Sequence, residues 1–276
     1  MTASSDEPRP RSALAFVYSV PIAVLGGLIG LGGAEFRLPV LAGPLGYSAR
    51  RAVPLNLAVS LVTIVTSLLI RSRSTDTDAV SDYSRAIFAL IVGAVIAAIF
   101  GTSLFARLSD DRLERLILIL LLAVGIALIA ESILPGHTGR LLPEGQVADI
   151  VAGVLFGLGI GLISSLLGVA GGEVIIPTLV LAYGADIKIA GTASLIISLP
   201  TVAVGIARYF RRGAYSSVAL RETVAPMAIG SIIGALIGGS LVGIVPSNVL
   251  KFGLGLLLIA SALRVFHHAR GASEER

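Results

Sequence analysis

The sequence predicts an all-α integral membrane protein with about eight transmembrane helices, arranged as two repeats of four. Three observations lead to this fold class. The chain is 55% hydrophobic and 14% charged, whereas a soluble domain carries about 25% charged residues. Several apolar stretches approach the length of about 20 residues that a membrane span needs. Finally, the second half of the chain repeats the first. So much apolar surface requires lipid around it.

Each predicted span is an apolar stretch bounded by polar residues. The spans lie near residues 13–31, 52–70, 86–106, 114–134, 148–168, 189–208, 222–244 and 249–266. The first stretch has features of a secretory signal peptide, because Arg9 and Arg11 precede it. Its counterpart in the second half is internal, so we interpret residues 13–31 as a retained span.

The repeat is an ungapped match at a shift of 138 residues. It pairs residues 30–39 (GLGGAEFRLP) with residues 168–177 (GVAGGEVIIP), and at a shift of 137 the third span matches the seventh. A linker rich in Pro, Gly and polar residues separates the halves. We therefore divide the chain into a first repeat (1–134), a linker (135–147), a second repeat (148–268) and a polar tail (269–276).

The orientation of the repeats depends on the short segments 36–46 and 174–184. Four spans per half give repeats of the same orientation, and a fifth crossing in each half would invert them. These segments are too short for an ordinary span, so we expect glycine-broken, re-entrant or interfacial pieces after spans 1 and 5, with inversion as the alternative. Lys and Arg are more numerous on the side of both termini, which predicts cytoplasmic termini in the cell (inner) membrane.

The two glycine-rich motifs are predicted to break the helix and line a wet cavity. Glycine frees the backbone, and Pro39 or Pro177 disfavours helix before it. Broken backbone at membrane depth needs protein or water around it, and free amides at the start of a short helix bind anions. Alternatively, the glycines only let helices pack closely. The candidate substrate-binding glycines are Gly30, Gly32, Gly33, Gly168, Gly171 and Gly172.

Glu35 and Glu173 follow the glycines at matched positions. An ionisable group inside a membrane is costly and marks a functional site by default. Because burial favours the neutral form of a carboxyl group, these two residues are candidates for proton coupling. Alternatively, they cap freed amides or pair with an arginine. Arg37 has Ile175 as its counterpart, which predicts one anion subsite, unless Arg37 extends to the membrane interface.

A polar stripe runs along the second span and recurs in the sixth. Spacings of three and four residues place its members on one helical face. The stripe consists of Asn56, Ser60, Thr63 and Ser67, with the counterparts Ser194, Ser198, Thr201 and Gly205. These groups could bind an oxyanion or could bond their own helix or a neighbour. From the two stripes and Thr192, near the start of the sixth span, the binding candidates are Asn56, Ser60, Thr192, Ser194 and Ser198.

The third and seventh spans carry small residues at every fourth position. They are Gly93, Ala97 and Gly101 in one span and Gly230, Gly234 and Gly238 in the other. Small residues let two helix backbones approach closely. These positions therefore predict packing seams.

Several chemistries find no support in the sequence. Cysteine is absent, which excludes disulfides and thiolate metal sites. There is no phosphate-binding G-x-x-x-x-G-K-[ST] run, which argues against ATP-driven transport. The histidines, His137, His267 and His268, lie in the linker and at the C-terminal end. We expect no catalytic residue, no metal and no cofactor, and no nucleic-acid partner because Lys and Arg flank the spans.

The doubled motif at 30–39 and 168–177 resembles the TauE/SafE family, also called sulfite exporters or toluene-sulfonate uptake permeases. The likeness covers residues 13–266 and includes the AGTASL start of the sixth span at 190–195. The resemblance implies a secondary carrier, and not an enzyme, for a small sulfur-containing anion such as sulfite or an organosulfonate.

We therefore expect a transporter that binds a small anion between the halves, near the bilayer midplane, and exposes it to each side in turn. Protons would couple to transport through Glu35 and Glu173. The expected partners are the small anion, protons and the lipid bilayer, and a homodimer is one possible assembly. The alternatives are a passive anion channel and a non-transporting membrane subunit or enzyme.

Overall fold

A computed structural model describes residues 12–74, 77–104, 110–133, 140–143, 145–167 and 170–274. All regular secondary structure in these ranges is helical. The α-helices are α1 (Ser12–Ile29), α2 (Ala34–Ala42), α3 (Ala49–Ser74), α4 (Thr77–Ser81), α5 (Ser84–Leu104), α6 (Asp110–Ile133), α7 (Gln146–Leu167), α8 (Gly172–Pro177), α9 (Ile187–Arg211), α10 (Ser217–Ala219), α11 (Ala225–Leu241) and α12 (Ser247–Glu274). Short π-helical segments, Thr178–Ala182 and Leu220–Val224, follow α8 and α10.

The helices are those of a multi-pass membrane protein. Among the described residues, the helices long and apolar enough to cross a membrane are Ser12–Ile29, Arg51–Arg73, Ile187–Arg211 and Ser217–Leu241. Shorter apolar helices are Ser84–Ile99, Gln146–Leu162, Gly172–Ala182 and Ser247–Ala260. Each predicted span coincides with a helix, although crossing by all eight stays a prediction. The predicted polar tail is helical as far as Glu274.

The long helices pack in pairs that join the first half of the chain to the second. Helix α1 packs along α11, α5 packs along α7, and α6 packs along α12. Helices α3 and α9 contact each other, and among the paired helices α3 contacts mainly α11 and α9 contacts mainly α5. The short helices α2 and α8 pack against α3 and α9 respectively. In this arrangement residues 30–34 and 170–173, which belong to the two glycine motifs, are buried.

Small residues form the seams of two of these pairs. A Cβ atom at Gly234 would overlap the backbone oxygen of Val20 in α1, and one at Gly93 would overlap the backbone oxygen of Val154 in α7. A hydrogen bond of 3.3 Å between the hydroxyls of Ser19 and Ser231 lies in the α1–α11 seam. These seams agree with the packing role that the sequence predicts.

The backbone breaks at the two glycine motifs. Helix α1 ends at Ile29, and α2 begins directly after Gly33, whose φ is +74°. In the second half, α8 begins directly after Gly171, whose φ is +80°. An L side chain in this left-handed region costs about 1–2 kcal/mol. Glycine therefore occupies the same position before both short helices.

Helix extends up to both prolines, although the sequence predicts that they disfavour helix before them. Pro39 lies inside α2, and Pro177 is the last residue of α8, directly before the π-helical segment Thr178–Ala182. A proline removes one backbone donor and crowds the carbonyl four residues earlier. In α2 this affects one turn of a short helix. In the second half, the chain continues as a π-helical turn directly after the proline.

Candidate functional site

The two glycine motifs contact each other inside the protein. A Cβ atom at Gly172 would lie 3.1 Å from the Cα of Leu31, and one at Gly32 would lie 3.8 Å from the Cβ of Ala170. Leu31 and Ala170 are each 1% exposed. We call segments 30–33 and 170–172 the two interruptions. In this structure they pack against each other and form one buried centre.

Arg37 is fully buried beside this centre. Helix α2 carries the arginine, and α3 supplies most of its hydrogen-bond partners. Its Nη1 donates to Ser60 Oγ at 2.9 Å and to Asn56 Oδ1 at 3.3 Å. Its Nη2 donates to Thr63 Oγ1 at 3.1 Å and to the Gly32 carbonyl at 3.4 Å. Arg37 therefore points into the protein and does not extend to the membrane interface.

Side chains of the polar stripes also bind the broken backbone. Asn56 Nδ2 donates to the carbonyl of Ala34 at 3.0 Å, and Ser198 Oγ donates to the carbonyl of Ala170 at 2.9 Å. Both carbonyls lie at an interruption or directly after it. Because no water is available in a bilayer interior, such carbonyls need partners inside the protein. The stripes of α3 and α9 provide these partners.

The two predicted coupling acids lie in the first turns of α2 and α8. There the positive end of the helix dipole favours negative charge. Glu35 is near enough to Arg37 to be attracted by it and near enough to Glu173 to be repelled. Both carboxyl oxygens of Glu35 are buried and have no hydrogen-bond partner among the described residues. Glu173 is 8% exposed. The structure thus brings both acids into one electrostatic neighbourhood with Arg37.

The other predicted residues are placed less centrally. Gly30 packs so tightly on α9 that a Cβ atom there would overlap the backbone of Gly191. The Oγ of Ser194 is buried and has no hydrogen-bond partner within the described part of the chain. Thr192 donates its hydroxyl to the carbonyl of Lys188 at 3.0 Å. Gly168 lies outside the described residues.

The comparison with known families decides what kind of protein carries this centre. Residues 13–273 match the family model described as "Sulfite exporter TauE/SafE". The chain belongs to the TauE/SafE family. No curated protein and no solved structure matches it. The resemblance carried by the doubled glycine motif is therefore confirmed. TauE/SafE proteins are transporters, which fits a chain that is not an enzyme.

Arg71 is a buried residue of this TauE/SafE protein that the sequence patterns did not single out. It is 0% exposed. Its Nη1 donates to the carbonyls of Gly27 at 3.0 Å and Leu28 at 3.2 Å, near the end of α1. Carbonyls in the last turn of a helix lack partners in their own helix, and a cation suits the negative end of the helix dipole.

Arg71 also connects α3 to the start of α9. Its Nη2 donates to the carbonyl of Lys188 at 2.7 Å, and its Nε donates to Thr192 Oγ1 at 3.0 Å. A signal for this residue was present in the sequence. Arg71 follows Ser67 by four residues, so it extends the polar stripe of the second span by one helical turn.

A cavity of about 760 Å³ lies between α3, α4, α5 and α9. Thr192, a predicted site residue, lines this cavity. Arg71, which was not predicted, also lines it. The cavity is separate from the contact between the two interruptions. The TauE/SafE chain therefore has two distinct features to explain, a closed charged centre and an open cavity beside it.

Proposed function

We propose that the protein is a secondary transporter that moves a small sulfur-containing anion, such as sulfite or an organosulfonate, by alternating access. Family membership supports this substrate class. The observation that carries the proposal is the environment of Arg37: a buried cation with neutral hydrogen-bond partners, at the place where the two interruptions meet. A charge at membrane depth is retained for function by default.

Charge balance suggests how a proton would couple to the anion. Charges buried at low dielectric need compensation nearby, and Glu35 is the acid whose attraction reaches Arg37. When Glu35 binds a proton, the charge of Arg37 loses this compensation, and a substrate anion can replace the carboxylate. The anion and the proton then bind together with little change in net charge. Glu173, at the matched position, is the second proton-binding candidate.

The proposed anion site combines the Arg37 guanidinium with amides and hydroxyls around it. Helix geometry leaves the first amides of α2 and α8 without intrahelical partners, and these amides follow Gly33 and Gly171. In the closed arrangement, Asn56 and Ser60 bind Arg37 itself, so a bound anion would replace part of that network. Ser194 and Ser198 are the candidate ligands from the second half. Gly30 packs closely against α9, and Thr192 is bound by Arg71. These contacts favour a structural role for Gly30 and for Thr192.

Alternating access requires two halves that move against each other. We infer that a pseudo-twofold axis relates them, because the contact of α1 with α11 corresponds, in the repeat, to that of α5 with α7. In the repeat, α3 corresponds to α9 and α6 corresponds to α12, so the contacts α3–α9 and α6–α12 each join two equivalent helices. Rocking of such halves about a fixed site is the usual mechanism of transporters built from repeats. We place the eight spans in the cell (inner) membrane, with both termini in the cytoplasm.

Purified protein in liposomes tests this proposal. We expect sulfite or a short organosulfonate to cross the membrane and an imposed pH gradient to drive its accumulation. Glu35→Gln should abolish the response to the pH gradient and retain downhill anion exchange. The matched control is Glu222→Gln, a half-buried acid of the segment Leu220–Val224, which should respond like the native protein.

The outcomes separate the alternatives. If no sulfite or sulfonate crosses the membrane, the transporter function is wrong. If the anion crosses but the native protein ignores the pH gradient, the proton coupling is wrong, and the protein is a passive channel or a carrier without proton coupling. If Glu35→Gln and Glu222→Gln lose the response to the pH gradient equally, the proposal that Glu35 in particular couples protons to transport is wrong.

A further inference from the structure

Arg71 joins the two halves of the chain at one end of the helix bundle. It lies in the last turn of α3, in the first half. Its Nη2 donates to the carbonyl of Lys188 and its Nε donates to Thr192 Oγ1, both in the first two turns of α9. The same guanidinium binds the carbonyls of Gly27 and Leu28 in the last turn of α1. One side chain therefore holds the ends of α1 and α3 against the start of α9.

Directly beside Arg71, the backbones of α1 and α9 are in contact. A Cβ atom at Gly191 would overlap the carbonyl oxygen of Ile29 and would lie 2.8 Å from Nη2 of Arg71. Gly191 and Ile29 are both buried. Any residue larger than glycine at position 191 would therefore force α1 and α9 apart. The contact leaves no room for an anion to pass between these two helices.

This contact lies between Arg37 and the end of the bundle. Thr63, which accepts a hydrogen bond from Arg37, precedes Arg71 by two helical turns on the same stripe of α3. The separation is about 12 Å at 1.5 Å per residue. Ser67 lies between them, one turn from each, and is also buried. An anion that leaves Arg37 along this stripe toward the end of α3 therefore meets the contact that Arg71 holds.

The first and last helices show which end of the bundle this is. Helix α1 ends beside Arg71 and therefore begins at the opposite end. Helix α12 begins beside the start of α9, because Ser247 Oγ donates to Asp186 Oδ2 at 2.9 Å, so α12 also ends at the opposite end. Because we place both termini in the cytoplasm, the end at Arg71 faces the outside of the cell. We call it the outer end.

Helices α3 and α9 run in opposite directions. The end of α3 meets the start of α9 at Arg71. A Cβ atom at Gly205, toward the end of α9, would lie 3.2 Å from Leu57 Cδ1, toward the start of α3. Because these helices are equivalent in the repeat, their directions favour inverted repeats over repeats of the same orientation. In an inverted pair, corresponding elements of opposite halves close the two ends of the bundle, so the ends can be compared position by position.

The outer end has two residues that the cytoplasmic end lacks. At the shift of 138 residues, the counterpart of Arg71 is Tyr209 and that of Gly191 is Val53. A valine cannot approach a neighbouring backbone as closely as a glycine does, and a tyrosine has one hydroxyl in place of a charged guanidinium with five donors. The close contact and its arginine therefore belong to the outer end alone.

At the cytoplasmic end, neutral hydroxyl groups join the halves. The hydroxyl of Tyr215 donates to the carbonyl of Pro54 at 3.2 Å, and the hydroxyls of Tyr47 and Thr223 are 2.7 Å apart. Hydrogen bonds from a charged group are stronger than those between neutral groups. Within the described part of the chain, the outer end is therefore closed by the stronger set of hydrogen bonds.

We propose that Arg71 is the latch of an outer gate. Its bonds to Lys188 and Thr192 hold the halves together on the side of the anion path that faces away from the cytoplasm, and they break when the path opens to that side. This inference rests on the alternating access proposed above. Arg71 is a positioning residue, because it acts through α1 and α9 and does not contact the transported anion.

Labelling of single cysteines measures how far each end of the path opens. The chain contains no cysteine, so Ser67→Cys reports on the outer side and Gly205→Cys, its counterpart, reports on the cytoplasmic side. A membrane-impermeant maleimide is added to right-side-out vesicles for Ser67→Cys and to inside-out vesicles for Gly205→Cys. We expect Arg71→Gln to raise the labelling rate of Ser67→Cys about tenfold, since lost hydrogen bonds to a charged group shift the equilibrium by about this factor. The same change should lower the labelling rate of Gly205→Cys.

Two exposed arginines provide the controls. Arg73→Gln, near the end of α3, and Arg212→Gln, directly after α9, should label like the native background. A substitution that merely loosens the protein would raise labelling at both reporters, so an increase at both in Arg71→Gln would overturn the proposal. Unchanged labelling of Ser67→Cys would also overturn it, and so would labelling of Ser67→Cys from the cytoplasmic side alone.

A second substitution opens the same contact and leaves Arg71 in place. Gly191→Ala inserts a methyl group between α1 and α9 and should raise the outer labelling of Ser67→Cys. Gly159→Ala is the control, because a Cβ atom there has nothing within 4 Å. No change with Gly191→Ala would contradict the latch. Neither assay requires sulfite, so opposite changes at the two reporters in a protein that transports no sulfite would support the latch and show only the substrate to be wrong.

Discussion

The first and second interruptions share a backbone and differ in charge. In both, a left-handed glycine, Gly33 or Gly171, precedes a short helix. In both, a polar side chain of the next long helix donates to a carbonyl of the break. The first half then adds Arg37, which the stripe of α3 binds. The second half has Ile175 at that position, 1% exposed and packed in the apolar core.

The comparison distinguishes features that both interruptions share from the one charged residue, Arg37, that only the first half has. The broken backbone and its hydrogen bonds belong to the framework, because both copies keep them. Arg37 belongs to one copy, and our proposal of one anion subsite rests on this difference. A site of this kind can bind one anion while the framework around it remains nearly symmetric.

The largest expected effect comes from making the halves alike in charge. Ile175→Arg places a further cation in the core, where Ser198 already donates to Ala170 and the counterpart of Asn56 is Ser194, which has no side-chain amide. We expect a loss of about 3–5 kcal/mol in the free energy of unfolding, or failure to fold, because the buried cation would lack the set of hydrogen-bond partners that Arg37 has. Ile175→Leu should cost less than about 1.5 kcal/mol. Thermal unfolding in detergent measures both, and equal stability of the two variants would refute the comparison.

Removing the charge from the first half should have the next largest effect. Arg37→Gln loses the hydrogen bonds to Ser60 and Thr63, so we expect a loss of about 1.5–3 kcal/mol in the free energy of unfolding. Sulfite affinity should fall about 10- to 100-fold, because the lost contacts are charge-assisted. Calorimetric titration measures the affinity, with Arg212→Gln as the control. Unchanged sulfite binding by Arg37→Gln would show that the anion lies elsewhere.

A smaller effect should distinguish two serines of α9. Ser198→Ala leaves the buried carbonyl of Ala170 without its 2.9 Å hydrogen bond, which should cost about 1 kcal/mol. Ser194→Ala removes a buried hydroxyl that has no hydrogen-bond partner among the described residues, so stability should change by less than about 0.5 kcal/mol. Chemical denaturation in detergent compares them. A larger loss for Ser194→Ala would indicate a hidden partner at that hydroxyl.

Several local features of this structure could be predicted from the sequence, because periodicity and glycine spacing are local signals. The small-residue seams, the breaks before α2 and α8 and the polar faces of α3 and α9 all follow from such patterns. The behaviour of Pro39 and Pro177 does not, since the cost of a proline depends on how the surrounding protein holds the short helix.

The hydrogen-bond partners of the buried arginines could not be predicted from the sequence, for a different reason. A helical stripe shows which residues share a face, but not which neighbouring helix that face meets. Asn56 and Ser60 were therefore predicted as substrate ligands, and the structure shows that they bind Arg37. Arg71 contacts α1 and α9, 43 and 117 positions away from it at Leu28 and Lys188. Such contacts depend on the packing of whole helices.

A cysteine cross-link between the interruptions tests the central claim that they form one centre which must open during transport. The chain contains no cysteine, and the Cβ positions at Gly32 and Ala170 are 3.8 Å apart, a separation typical of disulfides. We predict that the double variant Gly32→Cys, Ala170→Cys forms a disulfide under oxidation, measured by thiol protection, and that sulfite flux stops and returns on reduction. Each single variant should keep its flux under oxidation. A pair that does not cross-link, or a cross-linked protein that transports at its reduced rate, would contradict the account.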